Sequence, residues 1–160
     1  MKQQPPGFVA EVASLCKAAD VHLILDEVFV AFGRLGTMLV CSEEGIQPDF
    51  LCLAKGLTGG YLPLAATMTT QEICSVFEGP YHEHRALYHG HTFTANPLAS
   101  SVALKNVELL EEDINHGLIA GGVHAFGKQV VECFGDHPCV REVRQRGLAC
   151  CLDLCPSGRL

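Results

Sequence analysis

Apolar side chains recur at helical spacing from Phe8 to Ala19, where Phe8, Val12, Leu15 and Cys16 share one face. Asp20 then leads into the largely apolar run Val21-His22-Leu23-Ile24-Leu25. The change of period predicts a helix followed by a buried strand. That strand stops at Asp26-Glu27, and a glycine-containing loop, Ala31 to Gly36, precedes a short stretch from Met38 to Cys41. Pro48-Asp49 introduces a second strand, Phe50 to Ala54, ending in Lys55. The segment Gly56-Leu57-Thr58-Gly59-Gly60-Tyr61 is too rich in glycine for a helix and reads as a turn, after which Leu64 to Thr69 forms a third strand. The second and third strands therefore make a hairpin with Lys55 near its tip.

Gln71 to Phe77 is a short helix, and Gly79 to Gly90 an irregular, histidine-rich loop. Asn96-Pro97 is a strong helix start, since an Asn side chain caps free N–H groups and Pro suits the first helical position. Leu98, Val102, Leu109 and Leu110 carry that helix to about Glu112. A further helix from Ile114 to Phe134 is weakened by Gly117, Gly121, Gly122 and Gly127. Val140 to Arg146 and Leu148 to Leu154 are extended segments around Gly147, and the chain then runs into Pro156-Ser157-Gly158-Arg159-Leu160. Helices alternating with short apolar strands predict an α/β fold with at least part of its sheet parallel, in which polar residues at strand ends are the place to look for chemistry.

Composition narrows the function classes. With 11 Lys and Arg against 18 Asp and Glu, the net charge of -7 disfavours a nucleic-acid partner, which needs clustered cations to neutralise phosphates. No apolar run approaches the roughly 20 residues that cross a bilayer, and Met1 to Gly7 lacks the apolar core of a secretion signal. A cytoplasmic location without a membrane partner is the expectation. The nine cysteines are odd in number and contain no Cys-x-x-Cys, so buried, reduced thiols are expected rather than a disulfide framework or a zinc ribbon; Cys151 and Cys155 are the pair considered for an oxidising setting.

Two predicted strands end in opposite charges, Asp26 and Lys55, 29 positions apart, about one strand-crossover-strand unit. Both charges can then reach one sheet edge. A lysine amine that forms a Schiff base and a carboxylate that keeps a ring nitrogen protonated are what pyridoxal chemistry requires. Spacing alone does not choose between that reading and a pair of solvated surface charges.

The words around these residues are more specific. Leu23-Ile24-Leu25-Asp26-Glu27-Val28, followed by Phe32-Gly33-Arg34-Leu35-Gly36, resembles a signature of the class III pyridoxal-phosphate-dependent aminotransferases. Leu53-Ala54-Lys55-Gly56-Leu57-Thr58-Gly59-Gly60-Tyr61-Leu62-Pro63-Leu64 resembles that family's cofactor-lysine segment in the version found in diaminopelargonate aminotransferases. Tyr88-His89-Gly90-His91-Thr92-Phe93-Thr94-Ala95-Asn96-Pro97 is similar to its phosphate-binding motif.

The resemblance implies a fold-type I transferase: residues 1–112 as part of the large cofactor domain, mostly parallel with a hairpin at the lysine, and residues 113–160 as the beginning of the small C-terminal domain. It implies pyridoxal 5'-phosphate as cofactor, Lys55 as the Schiff-base lysine and Asp26 as partner of the ring nitrogen. Thr92 becomes a phosphate ligand across a homodimer interface, with His91 contributing its backbone N–H. Gly90 and Arg34 fall beside the substrate. The activity implied is amination of 8-amino-7-oxononanoate to 7,8-diaminononanoate in biotin biosynthesis, with S-adenosylmethionine or lysine as amino donor.

Some positions depart from the pattern. Val30-Ala31 stands where the family usually has Thr-Gly. The family's upstream glycine/serine phosphate loop, its ring-stacking aromatic and its downstream substrate arginine have no counterparts, so an incomplete enzyme is expected. Two other readings stay open: a different class III aminotransferase for ω-amino acids or diamines, and an inactive chain that retains the motifs. His82, His84, His89 and His91 have spacings that chelate zinc if the loop folds back, but His89 and His91 belong to the aminotransferase motif and His82 and His84 read as a solvated loop; no metal is expected.

Overall fold

A computed structural model describes residues 2–155; the tail Pro156 to Leu160, expected to follow the last strand without a further element, lies outside the described residues. Helix α1 spans Phe8–Ala18, and the Glu44 carboxylate accepts hydrogen bonds from the N–H groups of Gly7 and Ala10, both at 3.0 Å. An anion there satisfies N–H groups that the helix cannot pair itself.

Strand β1 is Ile24–Asp26, β2 is Phe50–Leu53 and β3 is Ala66–Thr69, in the spatial order β1-β2-β3. β1 and β2 are parallel, with Ile24 beside Phe50 and Asp26 beside Cys52; β2 and β3 are antiparallel, with Leu53 beside Ala66. β1 starts later than predicted and includes Asp26. The cause is upstream of β2: the Asp49 side chain takes the Leu23 N–H at 2.7 Å, and the Leu23 carbonyl receives both Asp49 and Phe50 N–H groups. Leu23 is thus tied to the entrance of β2 rather than to a regular ladder.

Alternation along the strands puts Leu25, Leu51 and Leu53 on one face. There Leu51 and Leu53 form a core with Ala31 and Cys41, and Leu25, Phe32, Leu39 and Ile46 pack around it. Burial pushes the Cys41 thiol up from its usual value, and its hydrogen bond with Glu27 adds to the effect. The opposite face is open, with Ile24 63% exposed.

Helix α2, Gln71–Val76, is capped by the Thr70 hydroxyl, which accepts from the Ile73 N–H. Helix α3, Pro97–Asn115, begins as predicted, the Asn96 side chain accepting from Leu98 and Ala99 N–H groups, and it runs on to Asn115 rather than ending near Glu112. Helix α4, Leu118–Phe134, is continuous despite its internal glycines. Gly127 faces the amide end of the Gln145 side chain, 2.9 Å from where a Cβ would stand. Strands β4 (Val140–Arg146) and β5 (Ala149–Leu154) form an antiparallel hairpin. Its turn is docked on the Arg34 loop, with Leu148 N–H donating to the Arg34 carbonyl at 2.8 Å. Gly147, at φ 58°, comes so close to Leu35 that a Cβ would run into the Leu35 backbone.

Candidate active site

Parallel pairing brings the ends of β1 and β2 to one edge of the sheet, so Asp26 closes β1 and Lys55 follows β2 two residues after its last member. Lys55 opens a single 3-10 turn, Lys55–Thr58, where a non-helical turn was expected. The turn ends at Gly59, whose left-handed φ of 60° a side chain rarely adopts. Lys55 is itself left-handed at φ 47°, as is Phe32 at φ 58° in the facing loop. Such conformations cost on the order of 1 kcal/mol or more for residues other than glycine and persist only where the surroundings enforce them.

The enforcing contacts are visible. Thr58 is 2% exposed and donates its hydroxyl to the Leu62 carbonyl, folding the segment after the lysine back on itself. The Asn106 amide, from α3, donates to the Gly56 and Leu57 carbonyls at 2.7 and 3.2 Å. Phe32 and Gly33 are held by N–H bonds to the Met38 and Thr37 carbonyls. Glu27, only 3% exposed, accepts from the N–H groups of Val40 and Cys41 at 2.7 and 2.6 Å, so the loop after Asp26 is anchored by a buried carboxylate. Charge-assisted bonds of this kind are stronger than neutral ones.

Lys55 and Arg34 are brought together. Both line a cavity of about 230 Å³ whose walls include Phe29, Phe32, Gly33, Gly56, Ile119 and Leu148. The Lys55 Nζ lies 5.4 Å from the centroid of the Phe29 ring and the Arg34 Cζ 5.9 Å from it. No ion pair among the described residues uses Lys55 or Asp26. The Asp26 carboxylate accepts from the Val28 N–H at 2.9 Å and is exposed. Asp26 does not line the lysine's cavity; it borders a separate one of about 140 Å³ with Glu27, Glu44 and Arg146.

Gly90, His91 and Thr92 are not assembled with Lys55. They lie in an exposed loop ahead of α3, where the His91 N–H donates to the Thr94 hydroxyl at 2.9 Å and the His91 ring accepts from the Phe93 N–H. A Cβ on Gly90 would press on that same hydroxyl at 3.1 Å. Among the described residues no group of three or more His, Cys, Asp or Glu side chains is arranged as a metal site, and no helix is long and apolar enough to cross a membrane. A cavity of about 670 Å³ lies at the other end of the strands, beside Leu23 and Asp49, and holds none of the predicted site residues.

Phe29, Asn106 and the buried Glu27 were not singled out from sequence. Glu27 carried a signal, being the second acid of the Asp-Glu pair, but Phe29 and Asn106 are indistinguishable from core and surface residues until the chain is folded.

The donor set suits pyridoxal phosphate in part. The Lys55 amine and the Asp26 carboxylate stand at one sheet edge, and among the described residues neither is in an ion pair. The cavity is below the roughly 300 Å³ at which small-molecule sites usually begin, so it has room for only part of such a group.

Residues 1–159 match the family described as aminotransferase class-III. The chain is 46% identical over 150 residues to the adenosylmethionine-8-amino-7-oxononanoate aminotransferase of Aquifex aeolicus (strain VF5), covering 94% of this chain and 33% of that protein. It is 45% identical over 144 residues to the protein of the same name in Staphylococcus aureus (strain NCTC 8325 / PS 47), covering 90% and 32%. Among solved structures, the adenosylmethionine-8-amino-7-oxononanoate aminotransferase from Methanocaldococcus jannaschii DSM 2661 superposes with a TM-score of 0.86 at 44% identity, over 94% of this chain and 35% of that one. A Bacillus anthracis aminotransferase superposes at 0.81 with 35% identity, over 95% and 34%. The chain spans about a third of the length of the curated relatives it matches.

Proposed function

Because the chain belongs to the class-III aminotransferase family, we propose that it supplies the lysine-bearing part of a pyridoxal-phosphate-dependent enzyme that converts 8-amino-7-oxononanoate to 7,8-diaminononanoate in biotin biosynthesis. The observation that carries this reading is the placement of Lys55 and Arg34 in one cavity over a single Phe29 ring, with no carboxylate among the described residues pairing the lysine. The substrate is inferred from the relatives, whose names carry it. S-adenosylmethionine is the proposed amino donor for the same reason.

Bound at Lys55, pyridoxal phosphate supplies an electron sink for the bond to a proton on the amine-bearing carbon. The chain's own residues do the rest. Lys55 would hold the cofactor through its Nζ, and the same amine would be the base that takes up and gives back the proton of the substrate carbon. The Asp26 carboxylate would hold the proton on the ring nitrogen, a role supported by its having no cation in an ion pair among the described residues. The Phe29 ring keeps the amine at the cavity wall and shields it from water on that side, while Arg34 faces the same space as the substrate.

His91 and Thr92 are proposed to hold phosphate across the interface of a homodimer. Support comes from their exposure and from their absence among the residues around Lys55. Residues 1–112 are assigned to the large cofactor domain and 113–160 to the beginning of the small one, the turn at His116-Gly117 lying just beyond that division. The reaction is assigned to the cytoplasm, with neither nucleic acid nor membrane as partner.

The test is cofactor trapping joined to product assay. Protein containing this chain is incubated with pyridoxal phosphate, reduced with borohydride and digested; the cofactor mass is expected on the peptide carrying Lys55 and is lost in Lys55→Ala. With 8-amino-7-oxononanoate and S-adenosylmethionine, diamine should form in the parent protein and not in the variant. Cofactor on Lys55 with turnover only of ω-amino acids or diamines would replace the substrate assignment, and no cofactor on Lys55 would end the reading.

A further inference from the structure

The β4–β5 ladder decides which cysteines can meet. Cys150 stands opposite Gln145 and Cys151 opposite Arg144, so neither faces a thiol across the hairpin. Cys151 and Cys155, the pair considered from sequence, are four residues apart along one extended segment, which separates them by about 13 Å. That exceeds the roughly 7 Å limit for a disulfide. The ladder's outermost pair is Val140 with Leu154, and one step beyond it the Cys155 backbone crosses to Cys139.

That step is made by a real bond. The Cys155 N–H donates to the Cys139 carbonyl at 2.9 Å. The Cys155 Sγ lies 3.8 Å from the Pro138 carbonyl, against the backbone that leads into Cys139. Cys139 enters β4 from the turn that the Val140 N–H closes on the His137 carbonyl at 2.9 Å, and a hydrogen-bonded pair of an antiparallel ladder has Cα atoms about 5.5 Å apart. This lies within the roughly 4.4–6.8 Å span of a disulfide. Cys155 is exposed and Cys139 partly so, which leaves the pair open to a soluble reagent.

We propose that Cys139 and Cys155 are a reversible thiol–disulfide couple that clasps the open end of the β4–β5 hairpin. The oxidant is a low-molecular-weight disulfide such as oxidised glutathione. The Cys155 thiolate attacks one glutathione sulfur, breaking the glutathione S–S bond, forming a mixed disulfide and releasing one glutathione thiolate. The Cys139 thiolate then attacks the Cys155 sulfur, forming the Cys139–Cys155 bond and releasing the second glutathione. In sum two protein S–H bonds give one S–S bond, and their two protons and two electrons leave as two molecules of reduced glutathione. The closed end of the same hairpin is the one docked on the Arg34 loop, so the clasp fixes the far end of an element that already borders the lysine's cavity. This inference is independent of the proposed reaction.

The experiment is disulfide mapping of the full chain equilibrated in glutathione buffers from reducing to oxidising, quenched by alkylation and cut with trypsin. Cleavage after Arg141 and Arg146 separates the two cysteines, so a clasp appears as two peptides that travel together until reduced. The expected result is that this linked pair forms in the parent and in Cys151→Ser and Cys133→Ser, and is absent from Cys139→Ser and Cys155→Ser. The link in the parent alone can be sequenced by fragmentation, which keeps the test valid if a variant fails to fold. Cys155 found only as a glutathione adduct, or joined to another cysteine while Cys139 is alkylated, would overturn the proposal.

Discussion

The Nζ of Lys55 sits 5.4 Å from the centroid of the Phe29 ring, so among the described residues the amine rests on an aromatic face and not in an ion pair. A cation over a half-exposed ring gains about 0.5–1 kcal/mol. Phe29→Leu keeps apolar bulk and removes the ring. Competitive labelling with acetic anhydride should then modify Lys55 about two- to fivefold faster, the factor that energy corresponds to. An unchanged rate would show that the ring does not hold the amine.

Asp26 ends β1 beside Cys52, and its carboxylate accepts from the Val28 N–H. Asp26→Asn keeps that acceptor but carries no charge to hold a proton on a ring nitrogen. Cofactor trapping on Lys55 is expected to survive in the full-length protein while transamination falls by orders of magnitude. Near-normal turnover would mean that the ring nitrogen has another partner.

Asn106 ties the turn after the lysine to α3 through two carbonyls. Asn106→Ala leaves those partly buried acceptors without their donor, at a cost of about 1–3 kcal/mol. Denaturant unfolding should show a lower midpoint with an unchanged slope. The borohydride-trapped fraction at Lys55 should fall with it at limiting cofactor.

Gly147 combines a left-handed φ of 58° with contact against the Leu35 backbone. Alanine there is strained on both counts, and a loss of roughly 2 kcal/mol or more is expected. The effect should be local. Hydrogen exchange at Leu148, whose N–H donates to the Arg34 carbonyl, is the measurement, and unchanged protection there would show that the hairpin does not depend on this approach.

Hydrogen bonding to Arg144, reinforced by Arg141, holds the Asp153 carboxyl down to about 2. A depressed carboxyl stabilises the folded form above its unfolded value, near 4, and that contribution is lost as the pH falls through about 2. The carboxyl carbon shift of Asp153 should therefore titrate near pH 2 and move upward in Arg144→Lys, which cannot make the two-toothed contact. Titration near pH 4 in the parent would show that the pair is not held in solution.

What was readable in the sequence was local. The Asn96-Pro97 start of α3 depends on a side chain reaching N–H groups two and three residues away, and the strand ending in Lys55 depends on an apolar run stopped by a charge and glycines. The motifs around Asp26, Lys55 and His91 likewise lie in contiguous words, so the family was legible before any fold was known. Only the tertiary structure decided the rest, because it depends on neighbours far along the chain. α4 runs unbroken through glycines whose propensity argues against it. Lys55 shares a cavity with Arg34 while Asp26 faces another, although all three stand at or near one sheet edge. The Cys155 N–H reaches the Cys139 carbonyl across the hairpin, since register there, unlike spacing along a strand, is set by pairing and cannot be counted along the chain.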